Sequence, residues 1–184
     1  MFKVVIILLV LSYYNPTFSS PKNEIISQMR LTNTLSFNFI QSIDEKKENG
    51  SCVIKYPKKI FCEYNTSNKK IIVSNGKSLV IKNKSNRNYY IYPLNKTPLA
   101  LLLDKEYLIS KIKNLESRNV DNKFFAFKIS EGNNKINIFF DKKNFWLVGW
   151  QTEDIYQKLS ITFISSIKIN QKIDNKIFIL PKND

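Results

Sequence analysis

Apolar and polar residues alternate along most of this chain. In the segment Leu35–Ile43, apolar side chains recur at every second position, at Leu35, Phe37 and Phe39. Because successive side chains of a strand point to opposite faces, this pattern predicts a half-buried strand. Comparable segments predict further strands at Ser51–Tyr56, Ile60–Tyr64, Ile71–Ser74, Ser78–Ile81, Tyr89–Leu94, Phe124–Ile129, Lys135–Phe140, Phe145–Gln151, Leu159–Ile169 and Ile177–Pro181.

Short polar segments separate the predicted strands and favour antiparallel neighbours. The charged segment Asp44–Gly50 predicts a turn, and Pro57–Lys59 predicts a hairpin between the second and third strands. Asn75 and Gly76 predict a tight type I′ turn, a turn whose two central residues both have positive φ. About ten strands in sequence order imply a strongly curved antiparallel sheet, or an incomplete β-barrel, in an α+β protein that is mainly β.

The N-terminal segment Pro21–Leu35 has a helical pattern instead. Ile25, Ile26 and Met29 recur at helical spacing with polar residues between them. This spacing predicts a short amphipathic helix with one apolar side. Ser20 precedes it and is of the residue type that caps helix starts.

A second helical segment lies in the middle of the chain, directly after the strand Tyr89–Leu94. Pro98 suits the first turn of a helix, Thr97 suits the cap, and the helical period continues to about Lys113. Its first turns, Leu99–Leu103, contain no polar residue. A helix start without a polar side must cover an apolar surface or be covered by one.

Length and charge bound the class of protein. The 184 residues are enough for one domain with one core. Lysine and arginine number 29 against 15 aspartates and glutamates, a net charge of +14. This charge raises nucleic acid or an anionic membrane surface as partners. However, the basic residues are scattered between strands and turns, so we interpret most of the charge as compositional bias.

Residues Met1–Ser19 have the pattern of a secretory signal peptide that is removed. Lys3 supplies the positive region, Val4–Leu11 the apolar region, and residues 17–19 a small-x-small cleavage site. The apolar run is far shorter than the roughly 20 residues that span a bilayer, which argues against a membrane anchor. We therefore expect an exported chain, with residues 20–184 forming a single domain and no intracellular nucleic acid as its partner.

The two cysteines fall on the two strands of the predicted hairpin. Folding the hairpin about Pro57 and Lys58 places Cys52 and Cys62 nearly opposite each other. In an oxidising compartment this arrangement predicts a cross-strand disulfide with a structural role. The alternative is a pair of small buried apolar side chains.

The composition removes most catalytic chemistries. Histidine is absent, so His-dependent nucleophiles and His-containing metal sites are excluded, and two cysteines alone cannot form a structural zinc site. Asp141, Glu153 and Asp154 are the carboxylates that suggest an acid/base pair, but all three lie in predicted turns and are interpreted as solvated. We therefore predict a protein that is not an enzyme and that uses no metal or cofactor.

Several segments occur in the order of one known family's motifs. They are Phe-Asn-Phe-Ile-Gln at 37–41, the hairpin at 50–64, Ile-Val-Ser-Asn-Gly-Lys-Ser-Leu at 72–79, the Thr-Pro helix start at 94–103, and the late strands at 138–141 and 177–181. In this order they resemble the LolA family of periplasmic outer-membrane lipoprotein carriers, which shares a lipoprotein-sorting fold with LolB. No single motif is specific, but the ordered set behind a signal peptide is, and it covers nearly all of the mature chain.

The resemblance implies an unclosed barrel whose concave apolar face, under a helical lid, holds the acyl chains of a lipoprotein. It implies a monomeric periplasmic chaperone that takes acylated lipoproteins from an inner-membrane ABC transporter to the outer membrane or to an acceptor there. No nucleic acid is implied. One alternative is a carrier of another amphiphile on the same fold, and a more distant one is a secreted basic module that binds polyanions.

The resemblance also implies which residues form the site. The expected cavity lining is Phe37, Phe39, Ile54, Tyr56, Ile60, Ile72, Leu79, Ile81, Tyr90 and Tyr92. The expected lid residues are Ile25, Met29, Leu99, Leu102 and Leu103. Alternation alone does not show which strand face opens to a ligand, so ordinary sheet core is the alternative for the first set.

One position departs from the family's pattern. The family often has an arginine before the hairpin proline that helps to hold the lid closed, whereas this chain has Tyr56 there. The departure puts the arginine contact in doubt. A tyrosine hydroxyl could make a weaker version of the same contact.

Overall fold

The computed structural model describes residues 19–67, 69–85, 88–153 and 158–182. The predicted signal peptide, apart from Ser19, lies outside these residues. The helices are α1 (Pro21–Leu31), α2 (Leu99–Leu103) and α3 (Lys105–Lys113), and 3-10 turns lie at Leu94–Lys96 and Asn175–Phe178. The strands are β1 (Thr34–Ile43), β2 (Lys46–Lys55), β3 (Lys59–Tyr64), β4 (Lys70–Asn75), β5 (Ser78–Asn83), β6 (Tyr89–Pro93), β7 (Arg118–Val120), β8 (Phe124–Glu131), β9 (Asn134–Asp141), β10 (Leu147–Glu153) and β11 (Leu159–Ile169).

All eleven described strands belong to one antiparallel sheet, in the order β6-β5-β4-β3-β2-β1-β11-β10-β9-β8-β7. The chain runs from the centre to one edge in β1 to β6, passes through α2 and α3, and returns from the other edge in β7 to β11. The first and last strands therefore pair at the centre. In the part of the chain that the structure describes, no pairing joins β6 to β7. The predicted α+β fold, an incomplete antiparallel barrel with helices, is confirmed.

The main hydrophobic core lies between the helices and one face of the sheet. Ile25 from α1, Leu102 and Leu103 from α2, and Ile112 from α3 are fully buried. They belong to the same cluster of buried side chains as Phe37 of β1. We call the sheet face that carries Phe37 the inner face.

The opposite, outer face is covered in one half by the C-terminal segment. The 3-10 turn Asn175–Phe178 contacts β3 and β4, and Phe178 is buried, as are Val73 and Val80 on this face. In the other half, Phe163 of β11 remains exposed beside Phe124. The C-terminal segment therefore covers only part of the outer face.

The charged segment Asp44–Gly50 is mostly strand, so the turn predicted there is wrong. β2 begins at Lys46, which pairs with Ile43 of β1, and Asp44 has a φ of 51° in the short turn between the strands. Backbone hydrogen bonds to β1 hold this end of the hairpin in the sheet. Its side chains are mostly charged and exposed, so they show no apolar alternation that could have predicted the strand.

The single central helix that the sequence predicts is two helices. Asp104 leaves the helical region with φ −97° and ψ 87°, and its carboxylate accepts a 3.2 Å hydrogen bond from the N–H of Tyr107, which caps α3. Thr97 does not cap α2, because its hydroxyl donates to the carbonyl of Leu94 at 2.8 Å. Aspartate competes for backbone N–H groups, which breaks the helix although the apolar period continues through it.

Other element boundaries also differ from the predictions. α1 ends at Leu31 because the chain turns into β1 at Thr34. The turn after β4 is not type I′, since Gly76 has a φ of 101° but Asn75 is not in the positive region. Residues 177–181 do not form a strand, because the Asp174 carboxylate caps a 3-10 turn at 2.9 Å.

Two differences concern the second half of the sheet. β7 was not predicted, because its three residues, Arg118–Val120, show no apolar alternation. β10 begins at Leu147 rather than Phe145, which has a φ of 61°. A positive φ is incompatible with a regular strand.

Candidate functional site

Cross-strand pairing places the expected cavity residues on one face of the sheet. One row of partners from β1 to β6 is Leu35, Ile54, Ile60, Ser74, Leu79 and Tyr92, and the next row is Phe37, Cys52, Cys62, Ile72, Ile81 and Tyr90. Phe39 follows Phe37 by two positions, and Tyr56 follows Ile54 by two, so both point the same way. The ten residues therefore lie on or beside the inner face.

These ten residues differ in depth. Those buried in the core are Phe37, Phe39, Ile54, Ile60 and Leu79. Tyr56 and Ile72 are partly buried against that core, and Ile81 is half-buried. Tyr90 and Tyr92 are exposed at the edge of the sheet. The inner face is thus packed at its centre and open to solvent along β6.

Residues 94–113, with α2 and α3, form the segment that we call the lid. Leu102 and Leu103 on its underside are 0% exposed, and Leu99 is half-buried. Ile25 and Met29 belong to α1, which packs beside α3, and they contact the same core. In this closed arrangement, apolar side chains of the helices occupy the space above the inner face that an acyl chain would need.

Two polar contacts join the lid to the hairpin between β2 and β3. The backbone N–H of Lys58 donates to the carbonyl oxygen of Leu103 at 2.8 Å. The Nζ atom of Lys58 lies 3.0 Å from Oδ2 of Asp104. This ion pair is at the surface, where such pairs contribute about 1 kcal/mol or less. The hairpin therefore holds the lid at the point where α2 ends, with contacts that break easily.

A second polar cluster joins α3 to the turn between β8 and β9. The hydroxyl of Tyr107 donates to the carboxylate of Glu131, and Nζ of Lys111 lies 3.3 Å from the same carboxylate. The hydrogen bonds from Tyr107 and then Lys111 hold the pKa of Glu131 below its usual range. The lid is therefore attached on both sides of the gap in the sheet.

Lys105 connects the lid to α1. Its Nζ atom donates to the carbonyl oxygens of Thr32 at 2.9 Å and Arg30 at 3.3 Å, and it lies 5.7 Å from the ring centre of Tyr56. Burial raises the pKa of Tyr56, which keeps its hydroxyl neutral. Tyr56 thus meets the lid through its ring, and Lys105 supplies the hydrogen bonds that join the lid to the end of α1.

An open cleft of about 440 Å³ lies beside the lid, between the two halves of the sheet. Gly76 and Lys77 from the β4–β5 turn line one side, and Glu131 from the β8–β9 turn lines the other. Leu94, at the start of the lid, also lines it. The cleft therefore lies where the lid meets the ends of both halves of the sheet.

One end of the inner face is polar. Nε2 of Gln41 donates to the hydroxyls of Ser160 at 3.0 Å and Thr162 at 3.1 Å, and the hydroxyl of Tyr64 donates to Oε1 of Gln41 at 3.1 Å. Nζ of Lys70 lies 3.8 Å from the ring centre of Tyr64. The sequence prediction missed this cluster. The one sign of this cluster in the sequence is Gln41, which continues the alternation of Phe37 and Phe39 on the same strand face but is polar.

Cys52 and Cys62 are joined by a disulfide in the structure. The two residues face each other on β2 and β3, and both are buried on the inner face. The bond lies beneath the lid and joins β2 to β3, the two strands that are connected by the turn containing Lys58. It therefore supports the hairpin that holds the lid.

The described residues show no metal site. Within them, no group of three or more His, Cys, Asp or Glu residues could hold a metal ion. Asp141 accepts hydrogen bonds from backbone N–H groups of its own turn, Glu153 lies 3.8 Å from Lys135, and Asp154 lies outside the described residues. No helix among the described residues is long and apolar enough to cross a membrane.

Comparison with known proteins begins with the sequence. Residues 30–180 match the model of a family described as outer membrane lipoprotein carrier protein LolA. This match spans most of the chain and nearly all of the described sheet. No curated protein matches the sequence.

Solved structures are similar to this chain at low sequence identity. An uncharacterized conserved protein from Thermus thermophilus is similar, with a TM-score of 0.51, 10% identity, and coverage of 88% of this chain and 93% of that one. A LolA superfamily protein from Nitrosomonas europaea has a TM-score of 0.49, 8% identity, and coverage of 89% and 99%. The MucA/MucB complex of Pseudomonas aeruginosa has a TM-score of 0.48, 6% identity, and coverage of 90% and 62%. The likeness to the Thermus protein supports the fold alone.

Proposed function

Because this chain belongs to the LolA family, we propose that it is a periplasmic carrier that shelters the acyl chains of lipoproteins between its inner face and its lid. It receives lipoproteins from an inner-membrane ABC transporter and delivers them to the outer membrane or to an acceptor there. It acts as a monomer, and binding and release, not catalysis, are its activity. The predicted signal peptide supports export to this compartment.

The observation that carries this proposal is the apolar underside of the lid. Leu102 and Leu103 are fully buried against the inner face, yet the two ion pairs that join the lid to the sheet lie at the surface. Each methylene group removed from water contributes about 0.8 kcal/mol. Acyl chains can therefore replace the lid's side chains on the same surface without leaving that surface exposed to water.

Competition between lid and cargo also explains how delivery is possible. The free energy of acyl burial is reduced by the free energy needed to displace the lid, so the carrier binds acyl chains less tightly than a bilayer does. A ligand's apparent affinity falls with the fraction of molecules whose site is open. Weakening the lid's polar contacts should therefore tighten cargo binding.

The replacement Leu102→Asp tests the role of the lid. An unpaired carboxylate on the lid's underside cannot cover acyl chains without a large desolvation cost. We expect uptake of a fluorescent apolar probe and of a triacylated lipopeptide to fall by more than about tenfold, while the sheet remains folded. Ser110→Asp, which adds the same charge on the exposed side of α3, is the matched control and should leave uptake unchanged.

Two results would contradict the proposal. If Leu102→Asp lowered the thermal midpoint and uptake together at every temperature, the segment would be ordinary core. If the protein purified from the native periplasm, with downstream lipoprotein export blocked, contained no acylated protein by mass spectrometry, it would not be a lipoprotein carrier. A lipid without polypeptide in the same preparation would favour a carrier of another amphiphile.

A further inference from the structure

The two edges of the sheet are protected to different degrees. β7 is three residues long and begins with Arg118, and short, charged edge strands resist pairing with other chains. β6 is five residues long, carries no charge and pairs with β5 without a register shift. Its residues Tyr90, Ile91 and Tyr92 are 47%, 54% and 43% exposed. β6 therefore has none of the common devices that prevent strand addition, apart from a proline at its end.

The hydrogen-bond pattern at both ends of the β5–β6 pair fixes which groups of β6 face outward. The N–H of Asn83 donates to the carbonyl of Asn88 at 2.9 Å, and the N–H of Leu94 donates to the carbonyl of Lys77 at 2.9 Å. In an antiparallel pair, hydrogen-bonded residue pairs alternate with pairs that are not hydrogen-bonded. Counting inward from Asn88 or from Leu94 gives the same phase, that is, the same set of β6 residues whose backbone groups face β5.

In this phase, Tyr90 and Tyr92 direct their backbone groups toward β5. Tyr89 and Ile91 consequently direct their N–H and C=O groups away from the sheet, which gives a row of four outward hydrogen-bonding groups. Pro93 adds only a carbonyl group, because proline has no backbone N–H. Within the described residues, β6 has no second neighbour. This is the row of groups that an added strand would pair with.

Charge and position indicate what kind of segment fits. Between residues 65 and 103 there is no acidic residue, and the basic residues are Lys69, Lys70, Lys77, Lys82, Lys84, Arg87 and Lys96. Lys70 and Lys84 pair with Glu48 of β2 and Glu63 of β3, so these two do not add to the net positive charge of the region. The C-terminal end of β6 leads directly into Leu94, which lines the cleft beside the lid. The C-terminal end of the exposed edge strand therefore lies next to this cleft.

We propose that β6 binds, by strand addition, an extended acidic segment of the cargo polypeptide that adjoins its acyl anchor. This proposal rests on the proposed carrier function. Tyr90 and Tyr92 pack against side chains of that segment on the inner face, and Ile91 packs against its outer side. The protein thus recognises the chain next to the lipid as well as the lipid itself, without reading a specific sequence.

The test compares two triacylated cysteinyl peptides that differ only in backbone donors. One carries eight residues of alternating Asp, Val and Thr, and the other is N-methylated at each Val and Thr, which removes those N–H groups and keeps the side chains and the charge. Four added hydrogen bonds, less the ordering of the peptide, should give the first peptide about tenfold tighter binding. The variants are Ile91→Pro, which removes an outward N–H and leaves the β5–β6 bonds intact, and Ile91→Val, its matched control.

We expect the tenfold preference in the wild-type protein and in Ile91→Val, and its loss in Ile91→Pro. Amide hydrogen exchange on the wild-type protein provides a readout that needs no variant: binding should slow exchange at Tyr89 and Ile91, while Tyr90 and Tyr92 are protected before and after. Equal affinity of the two peptides, or unchanged exchange at Tyr89 and Ile91, would overturn this proposal alone.

Two further outcomes separate this proposal from the carrier function. If neither acylated peptide bound, the carrier function and the strand-addition proposal would both fail. If the acidic peptide without acyl chains bound as tightly as the acylated one, the edge would serve another protein, and the assignment to cargo would be wrong.

Discussion

Two segments of the chain cover the sheet, one on each face, and they are attached differently. The lid covers the inner face with Leu102 and Leu103. Its two ion pairs with the sheet, Lys58–Asp104 and Lys111–Glu131, lie at the surface. The C-terminal segment covers the outer face of β3 and β4 with the buried ring of Phe178, and Nζ of Lys55 donates to Oδ1 of Asn175 at 2.8 Å. The lid thus covers its face of the sheet with several apolar side chains, whereas the C-terminal segment covers its face with one large side chain.

The difference indicates which cover can be exchanged for a ligand. The lid connects β6 to β7, the two edges of an open sheet, so it can move without breaking a hydrogen bond between two strands. Its apolar area is large enough to be replaced by acyl chains of similar character. The C-terminal segment contributes one large side chain over the outer face, so its removal would only expose sheet. We therefore expect the lid to affect uptake and the C-terminal segment to affect stability.

Phe178→Ala should have the largest effect on stability. Truncation of a buried phenylalanine costs about 3 kcal/mol or more, measured as the free energy of unfolding in urea. Uptake of an apolar probe per folded molecule should not change. Ile179→Ala, at an exposed neighbouring position, is the control and should have little effect. A loss of probe uptake in folded Phe178→Ala would show that the two covers are coupled.

Removal of the disulfide should also act on stability. Cys52 and Cys62 are separated by 10 positions, and closing a loop of that size contributes about 2 to 3 kcal/mol in the chain-entropy model. The double variant Cys52→Ala/Cys62→Ala should lower the free energy of unfolding by about that amount, and reduction of the wild-type protein should do the same. Equal stability of oxidised and reduced protein would show that the bond does not support the hairpin.

Asp104→Asn should act on the lid alone. Asparagine still accepts the capping hydrogen bond of α3, but the ion pair with Lys58 is lost. Because the closed lid competes with the ligand, we expect probe affinity to rise by about two- to threefold. The control is Glu116→Gln, which removes the 3.3 Å ion pair with Lys22 of α1 and leaves the lid–hairpin contact intact. Weaker probe binding in Asp104→Asn would contradict the proposed competition between the closed lid and the ligand.

The smallest expected effect is a pH dependence from Glu131. Hydrogen bonds from Tyr107 and Lys111 lower the pKa of Glu131 from its ordinary value of 4.5 when the lid is closed. The cluster therefore stabilises closure above pH 4.5, and this contribution is lost as the pH falls through the lowered pKa. Probe affinity should rise slightly in that range in the wild-type protein. Glu131→Gln should remove this pH dependence of probe affinity. If the variant and the wild-type protein had the same pH profile, this role of Glu131 would be contradicted.

Much of the fold could be predicted from local sequence, and the exceptions have physical reasons. Alternation at Leu35–Ile43 predicted β1 because one side of that strand is buried. It did not predict the start of β2, where backbone pairing holds charged residues in the sheet, nor β7, which is too short to show a period. The apolar period through the central helix concealed Asp104, whose capping hydrogen bond breaks it into α2 and α3.

The candidate site could be predicted only in part. Alternation placed Phe37, Ile54 and the other expected lining residues on a common face, and their register agrees. It could not give their depth, because Tyr90 and Ile60 have the same position in the period but one is at the edge and the other in the core. Lys58 and Glu131 gave no signal, since a charged residue in a turn is normally solvated.

The sequence by itself determined the period of two and the helical interruption, because each depends on residues close together in the chain. The order of the motifs along the whole chain determined the resemblance to a carrier family. The tertiary structure decided which face of the sheet is covered, where the lid is held, and which backbone groups of β6 point away from β5. These features depend on contacts such as Lys58 with Asp104 and Tyr107 with Glu131, between residues 20 or more positions apart. No local pattern specifies such contacts, because they exist only once the two halves of the sheet have paired through β1 and β11.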